Sequence, residues 1–127
     1  MELLFLGGIT AGFPSQVEDT LFESISMVEW LIRNPSSTYL VKVYGESMVE
    51  AGILPGDYVL VDRALSPKNG DIVVVRIEDE WTMKHFYRDE RGIKLKPANR
   101  RYPEIRLSPE DEVEVFGVVV AVIRKYR

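Results

Sequence analysis

The sequence predicts a mainly β, compact domain with one short helix near its start and a flexible N-terminal arm. Three observations carry this expectation. Runs rich in β-branched and aromatic residues recur from Thr38 onward. Gly-Asp pairs punctuate those runs as turns. Helical spacing is confined to a single stretch, residues 26–34. A chain of 127 residues, 46% hydrophobic and 28% charged, suits one globular domain with its own core.

Taken in order, residues 1–16 read as an arm. Gly7-Gly8 and Gly12-Phe13-Pro14-Ser15 favour turns, and no periodic pattern runs through them. Leu21 to Ile25 reads as a short extended piece. Ser26 then opens the helix: with Glu29 it fits a capping box, in which each side chain satisfies a free backbone N–H at the helix start. Met27, Val28, Leu31 and Ile32 follow at helical spacing, and Asn34-Pro35 stops the helix. Thr38 to Tyr44 reads as a strand. Gly56-Asp57 and Gly70-Asp71 each feed an apolar strand of buried composition, and Glu78-Asp79-Glu80 turns the chain into a strand from Trp81 to Arg88. Asp89-Glu90-Arg91-Gly92 reads as a hairpin loop into Ile93 to Lys96, and Pro97 to Pro103 as a loop. Val113 to Arg124 is a last long strand, kinked at Gly117. No internal linker is expected.

Composition excludes several classes. The absence of Cys rules out disulfides, thiolate zinc sites and a Cys nucleophile, and a single His rules out a multi-His metal site. No cofactor is expected. The longest apolar run, Val113 to Ile123, is broken by Glu114 and Gly117 and is too short for a membrane helix. No basic flank precedes Leu3-Leu4-Phe5-Leu6, as a signal peptide would require. A net charge of −4 gives no field that favours nucleic acid, so direct sequence-specific DNA binding is not expected. A soluble, cytoplasmic domain is the expectation.

Three features bear on chemistry. Ser47 lies in Gly45-Glu46-Ser47-Met48, just after a predicted strand. A Gly beside a Ser permits the tight turn that lifts a hydroxyl clear and aims nearby N–H groups at one point, although most Gly-x-Ser serines are turn residues. A serine nucleophile needs a base. His85 is the only His. Among the six lysines, Lys42 and Lys84 sit inside strongly apolar or aromatic strands, where desolvation favours the neutral amine. Strand alternation puts Lys84 with Thr82 and Phe86, and His85 on the other face with Trp81 and Met83. Spacing does not choose among Lys42, Lys84 and His85. The third feature is Ala11-Gly12-Phe13-Pro14, small enough at Ala11-Gly12 to enter a narrow protease cleft, and otherwise a plain flexible linker. The basic end Arg124-Lys125-Tyr126-Arg127 reads as a solvated strand end, with a partner contact as the alternative.

These pieces, in their order along the chain, resemble the LexA/UmuD family of self-cleaving Ser-Lys peptidases, its UmuD branch in particular. The matching segments are Ala11 to Ser15, Pro35 to Tyr39, Val41 to Met48, Gly52-Ile53, Gly56-Asp57, Val61-Asp62, Gly70 to Val73, Thr82 to Lys84 and Val115 to Val119. The resemblance implies a compact β-rich peptidase fold, with Ser47 as nucleophile, Lys84 as general base and Ala11-Gly12 as the bond the protein cuts in itself. It implies an arm, residues 1–11, removed by self-cleavage, and a peptidase and dimerisation domain over 12–127. It further implies cleavage promoted by a RecA filament on single-stranded DNA in the SOS response. The shortened homodimer would then join a UmuC-type polymerase for translesion synthesis. Only 11 residues precede the scissile bond, fewer than is usual in that branch. Three other readings compete. A LexA-type repressor needs a DNA-binding domain ahead of Ala11, which eleven residues cannot form, so it stands as the alternative of a truncated LexA-type repressor. A signal peptidase needs a membrane anchor. A non-catalytic dimerisation module has no need of both Ser47 and Lys84.

Overall fold

A computed structural model describes residues 2–5, 8, 11 and 23–127. The chain forms two compact units, residues 1–33 and 34–127, where the sequence showed no dividing linker.

In the first unit, β1 (Glu2–Phe5) pairs antiparallel with β2 (Glu23–Ser26), Leu3 opposite Ile25. Part of the expected arm is therefore a strand. Its short apolar run lacks a period because four residues are too few to display one. The helix, α1 (Met27–Leu31), starts where the capping residue stands: the Ser26 hydroxyl accepts the Glu29 N–H at 3.3 Å. It is shorter than the spacing allows. The backbone turns extended at Ile32, and Pro35 instead opens a 3₁₀ turn over Pro35–Ser37.

The second unit is one antiparallel sheet of seven strands. They are β3 (Thr38–Lys42), β4 (Tyr58–Asp62), β5 (Ile72–Ile77), β6 (Glu80–Asp89), β7 (Gly92–Lys96), β8 (Ile105–Arg106) and β9 (Val113–Ile123). Their spatial order is β3-β4-β9-β5-β6-β7-β8. The last long strand thus lies between β4 and β5 and joins the two ends of the sheet. The β5–β6 hairpin turns on Glu78 and Asp79, both at positive φ, the two-residue turn whose twist suits a hairpin. The two Gly-Asp turns are the same device used twice. Asp57 accepts the Leu54 N–H at 2.8 Å, and Asp71 accepts the Lys68 N–H at 2.9 Å.

At β5 both faces of the sheet are packed, which is why the strand reads Ile-Val-Val-Val without alternation. One face packs Val43, Met48, Ile53, Val59, Val61 and Val74; the other packs Val73, Val75, Phe86, Leu95 and Val118. The kink foreseen at Gly117 is a pair of bulges. The β9 register shifts against Val74/Val75 of β5 and against Leu60/Val61 of β4. A Cβ on Gly117 would lie 2.8 Å from Val61 Cγ1 and 2.9 Å from the Asp62 carbonyl oxygen, so only glycine admits this approach. The extra residue also resets alternation: Val115 and Val118 join one core, and Phe116 and Val119 the other.

The basic C-terminal end departs from expectation. Arg124 is no free strand end. Its Nε and one terminal nitrogen donate to the two carboxylate oxygens of Asp57 at 2.7 and 2.6 Å, and the same terminal nitrogen reaches the Gly52 carbonyl at 2.8 Å. The reason is tertiary. The Gly-Asp turn buries Asp57, and a buried carboxylate requires a cation and N–H donors. Arg124 above all, and then the Leu54 N–H, hold its pKa at about 2.

Candidate active site

After β3 the chain turns at Gly45, whose φ of +84° an L side chain rarely adopts, and reaches Ser47. The Ser47 carbonyl accepts the Ala98 N–H at 2.8 Å, and the Glu50 N–H donates to the Ala98 carbonyl at 2.7 Å. The Asn99 carboxamide donates to the Glu46 carbonyl at 2.7 Å. The serine turn is thus fastened to the loop after β7, far away in sequence.

Across from it runs β6. Its alternation is as expected, with Lys84 on the face of Thr82 and Phe86. Lys84 pairs across the sheet with Val73, and the residue is only 6% exposed. Its Nζ donates to the Thr82 hydroxyl at 2.6 Å and to the Met83 carbonyl at 3.1 Å. The Ser47 hydroxyl donates to that same Met83 carbonyl at 3.4 Å. One backbone oxygen therefore gathers the serine hydroxyl and the lysine amine. Burial pushes the Lys84 pKa below its ordinary value, since both named partners are neutral and do not repay the desolvation of an ammonium.

The other two candidate bases lie elsewhere. Lys42 is exposed, its ammonium over the rings of Tyr44 at 5.6 Å and Tyr58 at 6.0 Å. His85 sits on the opposite face of β6, its Nδ1 3.2 Å from the Gly70 carbonyl. Ala11 is exposed on a bend, and Gly12 lies outside the described residues.

Two clefts meet at Ser47. An apolar one of about 230 Å³ is walled by Val41, Val74, Trp81 and Met83. A second, of about 680 Å³, holds Lys84 with Glu46, Tyr102 and Ile105. Among the described residues, no helix is long and apolar enough to cross a membrane. The sequence places Thr82 beside Lys84 but gives no sign of the contacts made by the Met83 carbonyl or Asn99. A backbone acceptor carries no side-chain signature, and an Asn in a Pro-rich loop looks like any turn residue.

A serine hydroxyl and a buried lysine amine thus meet at one carbonyl oxygen, and these are the two groups from which an amine-activated serine nucleophile is built. Comparison with known proteins places the chain within a peptidase family. The Peptidase S24-like family matches residues 4–120, and the chain belongs to it. The LexA repressor of Clostridium kluyveri is 36% identical over 126 residues, 99% of this chain and 61% of that protein. The LexA repressor of Desulfatibacillum aliphaticivorans is 39% identical, over 98% of this chain and 62% of that protein. Protein SamA of Salmonella typhimurium is 41% identical over 124 residues, 98% of this chain and 86% of that protein. The chain spans about three fifths of the length of the LexA relatives it matches.

Proposed function

We propose that the protein is a self-cleaving serine endopeptidase in which Ser47 and Lys84 form the catalytic dyad and Ala11–Gly12 is the bond cut. One observation carries the reading: Ser47 and a buried Lys84 converge on the Met83 carbonyl, and the amine's proton is loosened by burial. Neutral Lys84 takes the Ser47 proton as Oγ attacks the Ala11 carbonyl carbon. Backbone N–H groups around Ser47 stabilise the oxyanion. The tetrahedral intermediate collapses, the Ala11–Gly12 bond breaks, and the Lys84 ammonium returns its proton to the departing Gly12 amine. Lys84 then deprotonates a water that hydrolyses the Ala11 ester. This frees Ser47 and leaves a chain beginning at Gly12.

In this reading residues 1–11 are the removable arm and 12–127 the peptidase and dimerisation domain, and the processed form is a homodimer. A RecA filament on single-stranded DNA promotes the cut in the SOS response. The product serves a UmuC-type polymerase in translesion synthesis. The ordered likeness to the UmuD branch, from Ala11-Gly12 to Val115–Val119, supports this assignment. A second reading, the peptidase part of a LexA-type repressor, is favoured by the LexA relatives, two fifths of whose length lies beyond the match. Operator binding by the full gene product would mark the repressor. Capture of a UmuC-type polymerase by the processed dimer would mark the accessory subunit.

The test of the dyad is mass spectrometry after alkaline incubation, with and without activated RecA filaments. Loss of residues 1–11 from wild type, and an intact chain for Ser47→Ala, are expected. An intact wild type with filaments present, or a cut that survives Ser47→Ala, would defeat the assignment.

A further inference from the structure

We propose that Asn99 is a positioning residue for the oxyanion-stabilising backbone of Ser47. The inference rests on the reading of Ser47 as the nucleophile and adds to it a residue from a distant loop.

Asn99 is a polar side chain only 8% exposed, and both ends of its carboxamide are used. The nitrogen donates to the Glu46 carbonyl at 2.7 Å, and the oxygen accepts the Arg101 N–H at 2.9 Å. This pairing allows one orientation of the amide; a flip would set acceptor against acceptor and donor against donor. The bond to Glu46 matters because of what the peptide group is. In a planar trans peptide, the Glu46 C=O and the Ser47 N–H point in opposite directions. Holding the carbonyl toward Asn99 turns the Ser47 N–H away from the loop.

The next peptide is treated in the same way. The Ser47 carbonyl is held by the Ala98 N–H at 2.8 Å, which turns the Met48 N–H away as well. Among the described residues, neither the Ser47 nor the Met48 N–H donates to any protein acceptor. Two adjacent donors are thus fixed in direction and left free on the nucleophile's own turn, which is what a developing oxyanion needs. Asn99 bonds to Glu46 and to Arg101 and not to Ser47 or Lys84, so it acts through the Glu46–Ser47 peptide.

The test compares self-cleavage of wild type and Asn99→Leu across alkaline pH, with thermal unfolding alongside. Leu keeps the shape of Asn, carries no charge and donates nothing. The plateau rate is expected to fall about 10- to 100-fold, toward the loss seen when an oxyanion donor is removed. The pH midpoint is expected to stay put, because Lys84 keeps its burial. A merely structural role would loosen the site, rehydrate Lys84 and raise the midpoint. That result with the plateau retained, or a folded Asn99→Leu that cuts within about twofold of wild type, overturns the proposal. If Asn99→Leu folds poorly, Asn99→Asp keeps the bond from Arg101, replaces the donor with an oxygen that faces the Glu46 carbonyl, and adds one negative charge. Read at the plateau, it carries the same expectation. A wild type that never cuts fails the nucleophile reading. A wild type that cuts beside a variant that cuts equally fast fails the positioning role alone.

Discussion

Asp57, in the turn before β4, and Lys84, on β6, are both nearly inaccessible ionisable side chains, and they are handled in opposite ways. Asp57 is met by a two-pronged guanidinium and a backbone N–H, so its charge is kept and its pKa falls to about 2. Lys84 is met by a hydroxyl and a carbonyl, so its charge is opposed and its pKa falls toward neutrality of the amine. The first arrangement closes the C-terminal end of β9 onto the Gly56-Asp57 turn. The second disfavours the charged form and so favours the neutral amine, the form a general base needs, at some expense of stability.

The comparison breaks most visibly at Lys84. Lys84→Met should lower self-cleavage at least about 100-fold, the usual worth of a general base, as followed by mass spectrometry. The same substitution should raise the melting temperature at pH 7, because an apolar chain of similar length replaces a desolvated amine. The sign can be checked against pH. A folded pKa below the ordinary 10.5 penalises folding while the amine is charged, and the penalty fades as pH climbs through the folded pKa toward 10.5. The advantage of the Met variant should therefore shrink at alkaline pH. Wild-type cleavage should rise over that interval as Lys84 loses its proton.

Arg124→Met sharpens the other half. It strands the Asp57 carboxylate in a buried turn and should lower the melting temperature at pH 7 by several degrees; Asp57→Asn in the same chain should recover much of the loss. In wild type the Asp57 pKa is depressed from 3.8, so its contribution is present above about pH 4 and disappears as pH falls to about 2. The cost of Arg124→Met should vanish over that window, as acid titrations followed by circular dichroism would reveal.

Gly117→Ala tests the bulge between these two sites. With its new methyl 2.8 Å from Val61 and 2.9 Å from the Asp62 carbonyl, it should cost about 1–3 kcal/mol in urea unfolding. The smallest effects belong to the lysine and histidine that lack this setting. Lys42→Ala and His85→Ala should leave the cleavage rate within about twofold of wild type, as surface changes do. A large loss at either position would return it to candidacy as the base.

Much of this molecule is legible from local chemistry. Turn residues name their own geometry: Gly56-Asp57, Gly70-Asp71 and the Glu78-Asp79 hairpin lie where their sequences place them, and the Ser26 cap begins α1 as its pattern requires. Strand alternation alone separates Lys84 from His85. These succeed because a turn, a cap and a two-residue period depend on neighbours within a few positions.

Local pattern along the chain thus yields most of the strands, the opposite faces of Lys84 and His85, and three candidate bases for one serine. That Lys84 is buried beside Val73 while Lys42 stays in water follows from the packing of the folded sheet. The tertiary structure alone brings Met83, Ala98 and Asn99 to the Ser47 turn, and Arg124 to Asp57 across 67 residues of chain. The reason is physical. A desolvated amine and a fastened carbonyl are properties of what surrounds them, and in an antiparallel sheet ordered β3-β4-β9-β5-β6-β7-β8 those surroundings come from segments remote in sequence.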